Sequence, residues 1–288
     1  MKVKKSSEYF NKDLKIDFSS KIGFKQVSTR HLRIAIVNLM PNVKDTEEQW
    51  KAVLSQDSST VVDFVFFHSL IRPSSRVDKN HLDENYANWQ AYNFDDLDGV
   101  IITGAPVELL KFEDVDYYKE ICEIITKSLK HDVPLMLVCW AAMAGVHFLY
   151  DIEKEGLDRK LFGVYEHKIM KQDHSLLKNI GTQLKACISR RTIVRDNNVL
   201  KYTDVILASP IDGLDCLVDK THKITYMFNH LEYSKGVLEA EYIRDKKIMD
   251  IAKPDNYYNE KGDIDYSWQN DQQIFYSNWL GILKEDKS

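Results

Sequence analysis

Cysteine is scarce in this chain of 288 residues: there are four, Cys122, Cys139, Cys187 and Cys216, widely spread and without a CxxC pair. That spacing argues against a zinc site or a disulfide framework, so each is read first as a free thiol and no metal is expected. Glycine and proline are also few, 11 and 6, which excludes a low-complexity chain. A basic excess is missing as well. Lys plus Arg number 39 against 44 Asp plus Glu, so no global field attracts nucleic acid or an anionic membrane. Residues 1–10 contain no signal-peptide core, and the longest uncharged stretch, residues 133–146, holds Pro134 and Gly145 and is too short for the roughly 20 residues of a membrane span. The expected setting is therefore the cytoplasm, with no membrane contact. Neither GxGxxG nor a P-loop pattern occurs, which leaves nicotinamide and ATP chemistry without support, and no repeat of solenoid length is visible.

What is present is ordinary globular material, 44% hydrophobic and 29% charged. Residues 1–31 are polar and aperiodic and read as an N-terminal arm; residues 32–288 read as a single α/β domain. A β-branched run at 32–37 predicts a buried strand ending in Asn38-Leu39-Met40-Pro41. A helix follows, capped by Asp45 or Thr46, with Trp50, Val53 and Leu54 on its apolar face. Further strands are predicted at 61–67, at 98–103 running into Gly104-Ala105-Pro106, and at 134–138, with helices over 115–130 and 140–150 and a polar loop over 69–97. This alternation predicts a mostly parallel sheet with helices on both faces. Beyond Gly163 strands are predicted at 164–169, 205–208, 216–218 and 224–228, and a helix over 235–250 that closes the main sheet.

Two strand ends carry chemistry. Cys139 stands where the 134–138 strand meets a helix, and ligands of open α/β sheets bind at the carboxyl ends of strands. A sharp turn there aims backbone N–H groups and the helix dipole at the sulfur, and Ala141 and Ala142 leave room for it. The plain alternative is a buried structural cysteine. His230 follows the 224–228 strand, and Glu232, two residues on, shares its side of an extended backbone, where a carboxylate orients an imidazole. His-x-Glu alone is equally a solvated loop; with Cys139 it makes a candidate triad. A pocket role for His147 or His167 is the less favoured reading of each, and core packing is the default for Cys122, Cys187 and Cys216.

Five ordered motifs then carry a resemblance: Asn38-Leu39-Met40-Pro41, Thr103-Gly104-Ala105-Pro106, Val138-Cys139-Trp140-Ala141, Gly163-Val164-Tyr165-Glu166-His167-Lys168 and Glu241-Tyr242-Ile243-Arg244-Asp245. Together they resemble the homoserine O-acyltransferase family of methionine biosynthesis, over about residues 32–285. The resemblance implies a fold related to class I glutamine amidotransferases and ping-pong transfer of an acetyl or succinyl group from acyl-CoA to the homoserine hydroxyl. On this chain it makes Cys139 the nucleophile, His230 the base and acid, Glu232 its orienter, and the Trp140 position part of the oxyanion site. It places Lys160, Ser189, Arg190 and Arg244 around the amino acid, Arg244 on its carboxylate. Glu108 falls where a carboxylate goes with acetyl transfer and glycine with succinyl transfer, since a second carboxylate repels succinate. No permanently bound cofactor is implied, acyl-CoA and a hydroxy amino acid are the partners, and a homodimer is the family's usual state.

The chain also departs from the pattern. Asn42-Val43 replaces the usual lysine pair, with Lys44 one place later; Asn229 and Leu231 flank His230 where Gly and Pro are familiar; Cys187-Ile188 precedes Ser189-Arg190; and Trp268-Gln269-Asn270-Asp271 lacks the usual Arg and His. These changes keep serine or another hydroxy amino acid as an alternative acceptor. A glutamine amidotransferase-like amidase is the alternative chemistry, although Leu137 and Ala141 occupy the glycine positions of its Gly-x-Cys-x-Gly elbow. A catalytically silent binding protein is the third reading.

Overall fold

The computed structural model describes residues 30–57, 59–71, 79–211 and 213–286, so almost all of the N-terminal arm read at 1–31 lies outside the described residues. The first strand, β1 (Arg30–Val37), begins at Arg30 instead of Leu32. It is followed by α1 (Val43–Leu54), β2 (Thr60–Phe67), α2 (Lys79–Asn85), β3 (Tyr86–Ala87), β4 (Gly99–Ile102), α3 (Tyr118–Lys130), β5 (Leu135–Val138) and α4 (Trp140–Tyr150). The second half contributes β6 (Glu155–Ile169), β7 (Gln183–Ile193), β8 (Thr203–Ser209), β9 (Gly213–Asp219), β10 (Ile224–Met227), α5 (Val237–Asp245) and α6 (Gln269–Glu285).

Among the described residues all the named strands join one sheet in the order β3-β2-β1-β4-β5-β10-β9-β8-β6-β7. From β3 to β10 every pairing is parallel; from β10 to β7 every pairing is antiparallel. The parallel half is covered on both faces, as its continuous apolar strands require. Alternation sorts their side chains: Ala35, Val37, Val100, Ile102, Leu135 and Leu137 pack toward α3 and α4, while Ile34, Ile36, Ile101, Met136 and Val138 pack toward α1 and α6.

Three expectations are corrected here. The polar stretch 69–97 contains α2 and β3; α2 buries only Leu82, so no apolar period marks it in the sequence. The helix expected over 235–250 ends at Asp245 and does not close the main sheet. Its Leu238 joins a small satellite cluster with Phe162, Tyr257 and Trp268, and α6 covers the main sheet instead through Phe275, Trp279, Leu280 and Leu283. The reason is charge: α5 turns Glu241 and Asp245 inward toward Lys160, and Ile243 and Ile248 are left 53% and 74% exposed. Finally, β6 starts at Glu155, because Glu155 and Gly156 pair with Ile193 and Thr192 of β7 and the ladder resumes at Leu161 after an irregularity across the charged residues between them. No helix among the described residues is long and apolar enough to cross a membrane.

Candidate active site

β5 and β10 are parallel neighbours in register Val138↔Met227, so the residues that follow them emerge side by side at the carboxyl edge of the sheet. The Cys139 N–H continues the ladder by donating to the Met227 carbonyl at 2.6 Å. Cys139 itself has φ 51° and ψ −109°, a strained backbone for a residue with a side chain, costing on the order of 1–3 kcal/mol. The chain turns there directly into α4, whose first residue is Trp140. The Trp140 N–H is one of those that a helix start leaves without an intrahelical carbonyl, and its indole is fully buried.

His230 is buried, with Nδ1 2.7 Å from Glu232 Oε1. The remaining nitrogen, Nε2, is the one left for chemistry. A Cβ placed at Gly104 would lie 3.4 Å from Cys139 Cβ and 3.4 Å from His230 Cε1, so the three residues meet at one point. Burial opposes a charge on the imidazole, but a thiolate at Cys139 and the Glu232 carboxylate outweigh it and raise its pKa well above the usual range. Tyr233 stacks on the ring at 4.3 Å and fixes its plane. Cys139, His230 and Glu232 thus form a charge-linked constellation with the roles of thiolate, imidazolium and orienting carboxylate available to it.

The group opens into a cavity of about 480 Å³ that also presents Glu108, Lys160, Ser189, Arg191 and Arg244. Lys160 Nζ lies 3.2 Å from Glu241 Oε2 and 2.9 Å from Asp245 Oδ2. The Ser189 hydroxyl donates to Glu241 Oε2, and the Tyr233 hydroxyl to Glu241 Oε1 at 2.7 Å. Against the push of burial, Lys160 and these donors hold the Glu241 carboxyl below its ordinary value. Arg244 donates from Nε to Asp245 Oδ1 at 2.7 Å and is about half exposed at the cavity rim. Glu108 accepts from the Arg191 N–H at 2.8 Å, while burial raises its pKa. A second cavity of about 320 Å³ shares His230, Tyr233 and Arg244 with the first and adds Asp45, Trp50 and Glu232. Chemically, the pair of cavities offers a nucleophile and base flanked by cations for an anionic substrate and by acids for an ammonium.

One expected residue is elsewhere. Arg190, placed beside the amino acid by the sequence, does not line the cavity; its side chain is 1% exposed and donates from Nη1 to the Phe228 carbonyl at 2.6 Å. Strand alternation is the reason: on β7 Ser189 and Arg191 share the cavity face and Arg190 points to the other. Lys44, the lysine displaced from the usual pair, is exposed, and Val43 is buried in its place. Sequence reading missed Glu241, Tyr233 and Arg191. Glu241 lay inside a quoted motif and shows its role only once α5 is folded against β6. Among the described residues one group has the donors and spacing of a cation site, Glu113, His147 and Glu153, with His147 Nε2 3.1 Å from Glu153 Oε1; it belongs to the far end of α4 and takes no part in the cavity.

Residues 12–287 match the family model described as homoserine O-succinyltransferase. The homoserine O-acetyltransferase of Agathobacter rectalis is 37% identical over 257 residues, covering 87% of this chain and 83% of its own. The homoserine O-succinyltransferase of Photobacterium profundum is 35% identical over 257 residues, covering 87% and 82%. Among solved structures, a glutamine amidotransferase from Thermotoga maritima superposes with a TM-score of 0.58 at 10% identity, covering 89% of this chain and 98% of its own, a likeness of fold alone. The chain therefore has a class I glutamine amidotransferase-like fold and belongs to the homoserine O-acyltransferase family of methionine biosynthesis.

Proposed function

We propose that this chain transfers an acetyl group from acetyl-CoA to the hydroxyl of homoserine through a thioester on Cys139. The observation that carries the reading is the meeting of Cys139 and His230 in one cavity with the partly buried Glu108 carboxylate, while Glu232 holds the far nitrogen of His230. The Cys139 thiolate attacks the thioester carbonyl, the bond from that carbon to the coenzyme sulfur breaks, and the departing sulfur takes the proton from His230 Nε2. Neutral His230 then removes the hydroxyl proton as the alcohol oxygen attacks the acetyl carbon. Cys139 leaves as thiolate and the imidazolium forms again, held by Glu232 at Nδ1. The Trp140 N–H at the start of α4 is the group we assign to the developing oxyanion.

Lys160, Ser189 and Arg244 bracket the space for the acceptor, with Arg244 on its carboxylate and Glu241 near its ammonium. The acetyl choice rests on Glu108. A succinyl carboxylate beside it would place two like charges in one desolvated pocket, and the second charge is costly.

Incubation with acetyl-CoA or succinyl-CoA, followed by intact mass and peptide mapping, tests this directly, with Cys139→Ala as control. Acetyl on Cys139 that homoserine discharges supports the reading. Discharge by serine alone moves the acceptor, and amide hydrolysis without acylation replaces the chemistry.

A further inference from the structure

Below the cavity a polar cluster without solvent contact holds the turn that carries His230. Arg190 of β7, Asp215 of β9, His167 of β6 and Asn229 after β10 are 1%, 0%, 0% and 0% exposed. None of them lines the cavity, yet they fasten each peptide around the histidine. The Phe228 N–H donates to the Asp215 carbonyl at 2.8 Å, and Arg190 Nη1 donates to the Phe228 carbonyl at 2.6 Å. Asn229 Nδ2 donates to Asp215 Oδ2 at 2.5 Å, while Asn229 Oδ1 accepts from the Leu231 N–H at 3.0 Å. The His230 N–H donates to the Cys187 carbonyl at 2.7 Å. His167 Nε2 stands 3.3 Å from Asp215 Oδ1, and Arg190 Nη1 stands 3.8 Å from it.

The bond from Asn229 Oδ1 to the N–H two residues on is an Asx-turn, which sets the direction in which the next side chain leaves the backbone. A free Asx-turn on a loop is soft. Here the amide is clamped from behind by a carboxylate that is flanked by the Arg190 guanidinium and the His167 imidazole and shut away from water.

We infer that the Asn229–Asp215 pair, anchored by Arg190 and His167, is a positioning device that aims the His230 imidazole at Cys139. The inference rests on His230 acting as base in the proposed reaction. Stability alone explains the cluster poorly: buried charges of this kind are often matched or bettered by apolar residues of the same volume, so a cluster this polar directly beneath the turn points to precision of placement. Asn229, Asp215, Arg190 and His167 touch no substrate and are positioning residues; a misplacement of about 1 Å at the reacting group costs up to about a hundredfold in rate.

The test compares Asn229→Ala, Asp215→Asn, Asp215→Ala and the Asp215→Ala/Asn229→Ala double variant. Two rates are read, each per titrated Cys139 thiol: alkylation by iodoacetamide, which needs no knowledge of the substrate, and acetyl transfer from acetyl-CoA to homoserine. Asn229→Ala lowers kcat by about tenfold to a hundredfold with KM values within about twofold, and slows alkylation at neutral pH. Asp215→Asn keeps an amide oxygen for Asn229 Nδ2 and recovers most of what Asp215→Ala loses. The double variant loses clearly less than the product of the two single losses, because the Asn229–Asp215 bond is common to both. An Asn229→Ala enzyme with kcat and alkylation rate equal to the parent overturns the inference, as does a loss that follows only the unfolded fraction in urea. If Asp215→Ala fails to fold, Asn229→Ala and Asp215→Asn carry the comparison. Slowed alkylation of Asn229→Ala in a protein that neither thioester acylates keeps the positioning device and removes the acyl-transfer reading.

Discussion

Lys160→Ala removes an ammonium that is 7% exposed and lies between two carboxylates, each 10% exposed. Taking one member from a buried ion pair leaves uncompensated charge and costs about 3–5 kcal/mol. Two features place this case at the low end. Glu241 keeps its bonds from Ser189 and Tyr233, and Asp245 keeps Arg244 Nε at 2.7 Å. The expected loss is therefore about 3 kcal/mol, roughly a hundredfold in the folding equilibrium, read as a lower urea midpoint at unchanged slope. The pH dependence separates charge from packing. In the parent, burial pushes both carboxyls up, but Lys160 and the hydrogen bonds hold Glu241 below 4.5 and Asp245 below 3.8. A carboxylate whose folded pKa is depressed contributes stability above its unfolded pKa and loses it as pH falls through the folded one. The gap between parent and variant is thus full above about pH 5.5 and shrinks on acidification. Lys160→Met, which keeps the stem under the ammonium that sits 4.2 Å from the Phe162 ring centroid, should show the same pH-dependent gap. A loss below about 1 kcal/mol at pH 7, or one equal at pH 4 and pH 7, would falsify the claim that Lys160 neutralises the cavity acids.

Glu108→Gly removes the like charge from the acyl pocket and raises the succinyl-to-acetyl ratio of kcat/KM by about tenfold to a hundredfold; an unchanged ratio in a competition read from acyl-Cys139 masses removes Glu108 from donor choice. Glu232→Gln withdraws a carboxylate that stabilises the charged imidazole, so the His230 pKa falls and the upper limb of the pH–rate profile moves to lower pH. An upper limb that stays in place shows that His230 is not the group titrating there. Gly104→Val puts side-chain atoms within contact of both Cys139 Cβ and His230 Cε1, and kcat drops by about a hundredfold while the thermal midpoint stays within a few degrees. Full activity in that variant means the reacting groups do not meet at Gly104.

The parallel half of the sheet was readable because its signal is local. Strands such as β5 are unbroken apolar runs, and each ends in a residue that cannot continue the run, Cys139 after β5 and Asn229-His230 after β10. The triad followed from those two ends and a spacing of two. The antiparallel half was less readable. β6 and β7 mix charged with apolar residues along their length, as strands with one wet edge do, so their extents were cut short or passed over. The Arg190 error comes from the same gap. Once β7 is known to run through Ser189, Arg190 and Arg191, alternation assigns the outer two to one face and the middle one to the other, without any appeal to a motif.

The departures around His230 are the harder lesson, because a motif comparison reads Asn229 as a loss of a familiar turn whereas the fold supplies a partner for it. Asp215 lies 14 positions earlier in the chain and belongs to the neighbouring strand, so nothing in the local sequence links it to Asn229. Its side chain is 0% exposed and its carbonyl also accepts from the Phe228 N–H, which fixes the distance across which the Asn229 amide must reach. A buried carboxylate demands such donors on physical grounds alone. The altered turn and the buried acid are then two halves of one solution to the same requirement, a histidine held at the end of β10 facing a cysteine at the end of β5.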